Sequence, residues 1–302
     1  MCGCYIIPEK KKVSISGLGV MEFGNKPSDG GNLLLSQDEL DSLGLTIAQR
    51  ERFVRRIYGS DNFINGGLRF CVWIEDEHLK EAQSIRALNE RIEAVRKVRL
   101  ASPDKGAQAL ARRAHQLKLM RHGKQSVIVV PSISSENREY LPVGLLDGES
   151  IISNRNYGLY DAELWNLAII ASRLHWVWIG TVCARLEMRF SYTNTLGWNT
   201  FPVPLLTEQN KADLTRCAEN ILLAREAHFP ATIADLYDPE TMPENLRRAH
   251  ERNDEVLERI YIGRRFRNDT ERLEKLFELY TKMTAAAKDQ PAAKAKRGRK
   301  AS

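Results

Sequence analysis

Apolar residues recur along this chain with two different periods, and the change falls near Pro204. Upstream, short apolar runs of strand length (68–74, 127–131, 139–145 and 151–152) lie between clusters of Gly, Asn, Asp, Ser and Pro. Residues 146–150, Leu-Asp-Gly-Glu-Ser, read as a hairpin turn between two of them. Helical spacing interrupts the strands at 37–43, 47–56, 77–100, 107–119 and 161–182, the last as one helix or two with Asp161 as N-cap. In 77–100 the apolar line is Leu88, Ile92, Val95 and, unexpectedly, Arg99. Downstream, strand signals stop. Thr207 caps a helix to about residue 227, and two more follow at 245–260 and 269–283, the last with Leu273, Leu276, Phe277 and Tyr280 on one face. The pattern predicts an α+β fold: a mixed-sheet domain over 14–204, then a small helical bundle over 205–285. An atypical N-terminal extension (1–13) and an Ala/Lys-rich tail (286–302), expected to be disordered, flank them.

The stretch 172–204 organises the upstream part. It runs from an apolar helix through a charged extended segment into Asn199-Thr200-Phe201-Pro202-Val203-Pro204, where the prolines hold their predecessors extended. Within 187–192, period-two alternation sets Glu187, Arg189 and Ser191 on one strand face and Met188, Phe190 and Tyr192 on the other. An arginine fork matches guanine O6 and N7, and a carboxylate accepts from the cytosine amino group, so Glu187 and Arg189 together suit the two members of one base pair. The alternative is a surface ion pair bracing the strand. A polar loop between two strands adds Asn137, which suits adenine, and Arg138, which suits guanine or phosphate. An internal salt bridge from Arg138 to Glu136 or Glu139 is the competing reading.

Charge sharpens this picture once it is dissected. The net charge is +6, but residues 286–302 hold six Lys/Arg against one acid, so the basicity is mostly a property of the tail. Residues 84–124 differ, with eleven Lys/Arg against three acids. There Arg86, Arg91, Arg96, Lys97, Arg112 and Arg113 form either a phosphate-facing surface or a solvated helix face. No apolar run reaches transmembrane length and no secretory signal opens the chain, so a cytoplasmic protein without membrane contact is expected. The odd count of five cysteines suits reduced thiols, and Cys2-Gly3-Cys4 lacks a partner pair at zinc spacing, so no metal is expected.

Chemistry-bearing motifs are missing. The Gly-rich turn at 23–32 has neither P-loop nor dinucleotide spacing. There is no Asn-Pro-Pro-Tyr element for gripping a flipped base and no strand–Gly-turn for S-adenosylmethionine. Glu75, Glu77 and Lys80 only weakly echo a nuclease site. No catalytic residue and no cofactor is expected in this chain.

Several blocks, in order, resemble a known family. They are Phe23-Gly24-Asn25-Lys26-Pro27 with Asp29-Gly30-Gly31-Asn32-Leu33, Tyr58-Gly59-Ser60 with Asn65-Gly66, Val130-Pro131 with Ser134-Ser135-Glu136-Asn137-Arg138-Glu139-Tyr140-Leu141-Pro142, Ser172-Arg173-Leu174-His175 with Trp178, Ala184-Arg185-Leu186 with Arg189-Phe190-Ser191, and Asn199 through Pro204. Together they look like the carboxy-terminal part of MmeI-like (type IIL) DNA methyltransferases and fused restriction–modification enzymes. The likeness covers about residues 14–285. Ala184 stands where the family usually has Gly, and Val203 where it usually has Trp.

The resemblance implies a target recognition domain and a C-terminal helical bundle that bind double-stranded DNA. It implies base reading by the segment holding Glu187, Arg189 and Ser191, and it adds Arg173 and Arg185 to the phosphate candidates. In the family a nuclease and an adenine-N6 methyltransferase precede these blocks. The implied role is therefore that of a specificity module lacking its own catalytic domain and serving a separate methyltransferase, and possibly nuclease, polypeptide that holds S-adenosylmethionine. A truncated fragment without function, or an enzyme with a cryptic site, are the alternatives.

Overall fold

The protein's structure, a computed structural model, describes residues 6–289. It is α+β, with three small sheets upstream and helices downstream. The first sheet is built on Ser126–Pro131, flanked by antiparallel Asn156–Tyr160 and Gly144–Asp147, with Glu22–Phe23 at one edge. Its central strand reads Val-Ile-Val-Val without a polar break because both faces are covered. Ile128 and Val130 join the large core, while Val127 and Val129 pack with Phe63, Ile64 and Ile152.

The second sheet centres on Phe70–Val72, between Leu34–Leu35 and Val54–Tyr58. Helix Arg86–Leu100 closes that core with Leu88, Ile92 and Val95. Arg99, the odd member of the apolar line, is 1% exposed. Its guanidinium donates to the carbonyls of Pro27, Ser28, Leu110, Arg113 and Gln116 at 2.7–3.3 Å, so one planar fork satisfies five acceptors and ties the Gly-rich turn to segment 110–116.

After Pro204 the described residues up to 283 hold helices and no strand. The helices are Glu208–Glu226, the short Ile233–Leu236, Glu244–Ile262 and Asp269–Asp289. A capping box at Thr207 and Asn210 opens the first, and Gly263 in the left-handed region ends the third. This bundle has no core of its own. Leu214, Ile221, Leu257 and Leu276 are buried in one apolar cluster with Leu167, Leu174 and Trp178, so helices Trp165–Ile170 and Arg173–Val182 are shared between the two parts of the chain.

Several expectations need correction. Segment 47–56 is helical only over Ile47–Phe53. Val54–Tyr58 becomes a strand, paired with Phe70–Val72 on one side and Ile151–Ile152 on the other. The long helix at 77–100 breaks at Ile85, which is extended, and only Lys105–Ala109 and a single tight turn form in 107–119, where Arg99 holds the carbonyls instead. Segment 139–143 is not strand; pairing starts at Gly144. Ile151–Ile152 does not fold back on its predecessor but pairs in parallel with Val54–Tyr58. Asp161 caps no helix. It has φ +52° and accepts from the backbone N–H groups of Lys124, Gln125 and Ser126, which lowers its pKa, and the cap of the helix downstream is Ser172. Helix Asp269–Asp289 continues into the segment read as tail. The rest of that tail, with its Lys/Arg cluster, and Cys2 and Cys4 lie outside the described residues.

Candidate nucleic-acid interface

The segment read as one strand, 187–192, is instead half of a hairpin. Ala184–Leu186 pairs antiparallel with Arg189–Ser191, and Glu187 and Met188 form the two-residue loop. Glu187 adopts φ +55°. Hairpin twist demands positive φ in such loops, and a hairpin loop with it at the first position ordinarily prefers Gly there. Glu187 therefore does not lie beside Arg189 on a strand face. The turn folds it back, and the carboxylate meets the Arg189 guanidinium at 3.0 Å with both side chains at least half exposed. Met188, expected on the inner face, is 64% exposed at the tip. Phe190 and Tyr192 are buried as the alternation requires.

A third strand, Ile133–Ser135, pairs antiparallel with Arg189–Ser191. The register fixes the faces, because directly paired residues point the same way. The inner face carries Arg185, Phe190 and Ser134. Phe190 packs edge-on against Trp176 at 4.9 Å, and Gly180 leaves room for its ring. Arg185 lies over Phe190 and pairs with Glu136 at 2.8 Å. The outer face holds two rows: Leu186, Arg189 and Ser135 in one, Ala184, Ser191 and Ile133 in the other. Sequence reasoning found Arg189 and Ser191 but missed Leu186, Ala184, Ser135 and Ile133, because the partner strands of a hairpin and its register are not visible in one segment.

The platform is held from below. Helix Arg173–Val182 runs into the hairpin at Cys183, and the Tyr192 backbone N–H donates to the Ser132 carbonyl at 2.8 Å. Tyr192 and His175 share a hydrogen bond at 3.2 Å inside an aromatic cluster with Trp198 and Phe201. Burial pushes the His175 pKa down to about 3, so it stays neutral and serves as a packing residue. The Glu136 N–H donates to the Met188 carbonyl, which ties the polar loop to the tip of the hairpin.

In that loop Asn137 is exposed. Arg138 is half-buried and donates to Ser134 Oγ at 3.2 Å, and burial lowers its pKa against the pull of Asp238. Neither acid weighed as its partner takes it: Glu136 pairs with Arg185 and Glu139 with Arg247. Arg155 was not singled out from the sequence. It is exposed, and its carbonyl accepts from the Ser132 N–H and hydroxyl, one strand residue from the platform. With Ser60, Arg69 and Asn154 it lines a cavity of about 370 Å³.

The phosphate candidates are dispersed. Helix Arg86–Leu100 belongs to the second core, whereas the hairpin belongs to the first. Arg86 and Arg96 pair with Glu90 and Glu93 on their own helix, and Arg91 donates to the Asn32 carbonyl and approaches Glu39. Lys97 and Arg112 are exposed, and among the described residues no carboxylate pairs with either. Arg113 donates to the Lys118 carbonyl. Arg173 is occupied elsewhere: it bonds Asp269 at 2.6 Å and the Glu139 carbonyl at 3.1 Å, joining the polar loop to the last helix. Of the nuclease-like trio, Glu75 and Glu77 gather with His78, their ligand atoms within 4.8 Å, on the surface beside Arg52.

The family model of the MmeI target recognition domain matches residues 3–205, and that of the MmeI C-terminal domain matches residues 206–287. DNA methyltransferase A of Bacillus subtilis (strain 168) is 38% identical over 279 residues, which are 92% of this chain and 32% of that protein. The solved structure of the type IIL restriction–modification enzyme MmeI in complex with DNA superposes with a TM-score of 0.88 at 32% identity, covering 94% of this chain and 38% of MmeI. The chain thus spans about a third of the length of these relatives. With the two family models matched end to end over residues 3–287, this chain belongs to the MmeI family, as its target recognition and C-terminal domains.

Proposed function

We propose that this chain reads a DNA sequence on behalf of a class I S-adenosylmethionine-dependent adenine-N6 methyltransferase, in a restriction–modification setting. The observation that carries this reading is the three-stranded platform. It presents Arg189, Ser191 and Ser135 outward, with the Glu187 carboxylate folded over Arg189. These are donor and acceptor groups of the kind that read base edges in the major groove, presented by strands. The MmeI likeness supports it, since that enzyme was solved with DNA bound. Base reading falls to Glu187, Arg189, Ser191, Asn137 and Arg138; phosphate contact falls to Lys97 and Arg112, with Arg185, Arg86, Arg91, Arg96 and Arg113, each already engaged within the protein, in reserve. S-adenosylmethionine and the transfer chemistry belong to a methyltransferase polypeptide that this chain directs. No helix of the described residues is long and apolar enough to cross a membrane. With DNA and that polypeptide as the proposed partners, the work proposed for the chain is cytoplasmic.

The test is reconstitution. The chain is co-expressed with a methyltransferase polypeptide of the same family, and adenine methylation of a plasmid is mapped with and without it. The expected result is methylation at one sequence only when both are present. Methylation of the same sites without this chain would refute the reading.

A further inference from the structure

Leu186 is an apolar side chain, 52% exposed, that the fold has no internal use for. Pairing with Arg189 places it in the outward row between nothing on the edge side and Arg189 and Ser135 on the other. Ala184 and Ile133 lie in the neighbouring row of the same face. An exposed leucine level with an arginine on the same sheet face matches one groove feature that polar groups cannot read, the C5-methyl group of thymine. Directly paired side chains in an antiparallel ribbon stand about 5 Å apart. Successive base pairs rise about 3.4 Å. The separation of the paired side chains is between one and two base-pair rises, so with the pairing direction along the duplex Leu186 reaches a base pair neighbouring the one that Arg189 addresses. A wedge inserted between bases would have to protrude, and the residues that protrude here are Glu187 and Met188, at the tip.

We propose that Leu186 is a specificity-determining residue, reading the thymine methyl in the base pair next to the one read by Arg189. The proposal rests on the DNA-reading role argued above. The charged neighbours supply register and Leu186 supplies a methyl-sized preference. Burying one methyl group contributes about a fourfold preference for thymine over uracil.

The test uses the full chain and duplexes enriched by it from a randomised pool. Each thymine in the enriched site is replaced singly by uracil, which removes only the methyl group, and binding is measured. One position is expected to lose about fourfold in affinity in the wild type. Leu186→Ala is expected to bring that thymine-to-uracil ratio to near one, and Leu186→Met, which keeps apolar bulk, is expected to retain it. Thermal melting confirms that both variants are folded. Enrichment with no uracil-sensitive position, or a ratio that survives Leu186→Ala, overturns the proposal and leaves DNA reading intact. Brightening of 2-aminopurine at the site with no thymine preference also overturns it, in favour of a wedge. Failure of the pool to enrich at all overturns the DNA-reading role itself.

Discussion

Glu187 and Arg189 meet at 3.0 Å across a hairpin loop, with Glu187 holding a left-handed backbone that glycine would adopt more easily. The two side chains are therefore not parallel readers side by side on one strand. Arg189 stands on the platform face, and Glu187 leans toward it from the tip.

A charge swap tests whether this pair reads DNA. Glu187→Lys with Arg189→Asp keeps two opposite charges at the same two exposed positions, so the fold is expected to melt as the wild type does. The base accepted at one position of the site changes, with discrimination of about 1–3 kcal/mol. The check is methylation mapping with the methyltransferase polypeptide present. An unchanged site would reduce the pair to a surface brace.

Glu187→Gly separates folding from reading. It relieves the left-handed conformation, which costs a side chain roughly 1–2 kcal/mol, and adds some unfolded-state freedom. The expected net is a hairpin stabilised by about 0.5–1 kcal/mol, seen in urea denaturation, together with weaker base discrimination at the position the carboxylate serves. A carboxylate kept at a strained loop position against the demands of folding fits a functional residue better than a structural one.

Lys97 and Arg112 carry the non-specific part. Arg86 and Arg96 spend their charge on Glu90 and Glu93, so they release few counterions on binding. Replacing Lys97 and Arg112 by Ala is expected to flatten the log–log salt dependence of DNA binding by about 1.8. Replacing Arg86 and Arg96 is expected to change it less. Equal effects from the two pairs would show that the helix ion pairs open on DNA.

How much of this was legible in the sequence depends on whether the signal was local. Fold class and the helices after Pro204 followed from period and caps, as at Thr207 and Asn210. The order and type of the platform did not. A two-residue loop without Gly, Asn or Asp hid the hairpin at Glu187–Met188, and alternation continued through it by coincidence at Phe190 and Tyr192. Arg99 shows the opposite case. Its place on the apolar line was visible, but only the distant carbonyls of Pro27 and Ser28 explain why an arginine stands there. Its removal is expected to cost about 3–5 kcal/mol, by analogy with breaking a buried charged network, and Arg99→Lys is not expected to rescue it, since a lysine offers three donors and no fork.

The buried titrating groups set a pH dependence that can be assigned. Tyr140 donates its hydroxyl to Asp254 at 3.1 Å, and the Arg173 N–H donates to the same carboxyl at 2.7 Å. Burial still dominates and raises the Asp254 pKa to about 7. Its folded pKa lies above the unfolded one, so the stability it contributes is complete below about pH 4 and is lost as the pH rises through 7. His175 and His250 act in the other direction. Burial lowers both to about 3, so their contribution is complete above the ordinary histidine pKa and is lost as pH falls toward 3. Between about pH 4.5 and 6 these effects oppose, with protons taken up on unfolding by His175, His250 and His115, whose pKa burial also lowers, and one held by folded Asp254. Stability should therefore rise with pH across that window. Asp254→Asn removes the opposing proton, and the slope is expected to steepen by about 1.4 kcal/mol per pH unit. Urea denaturation at pH 4.5, 5.2 and 6 reads this slope (about the midpoint and edges of the window) independently of any change in absolute stability. A slope unchanged in Asp254→Asn would mean that Asp254 is ionised throughout, held by Tyr140 and the Arg173 backbone more strongly than burial opposes.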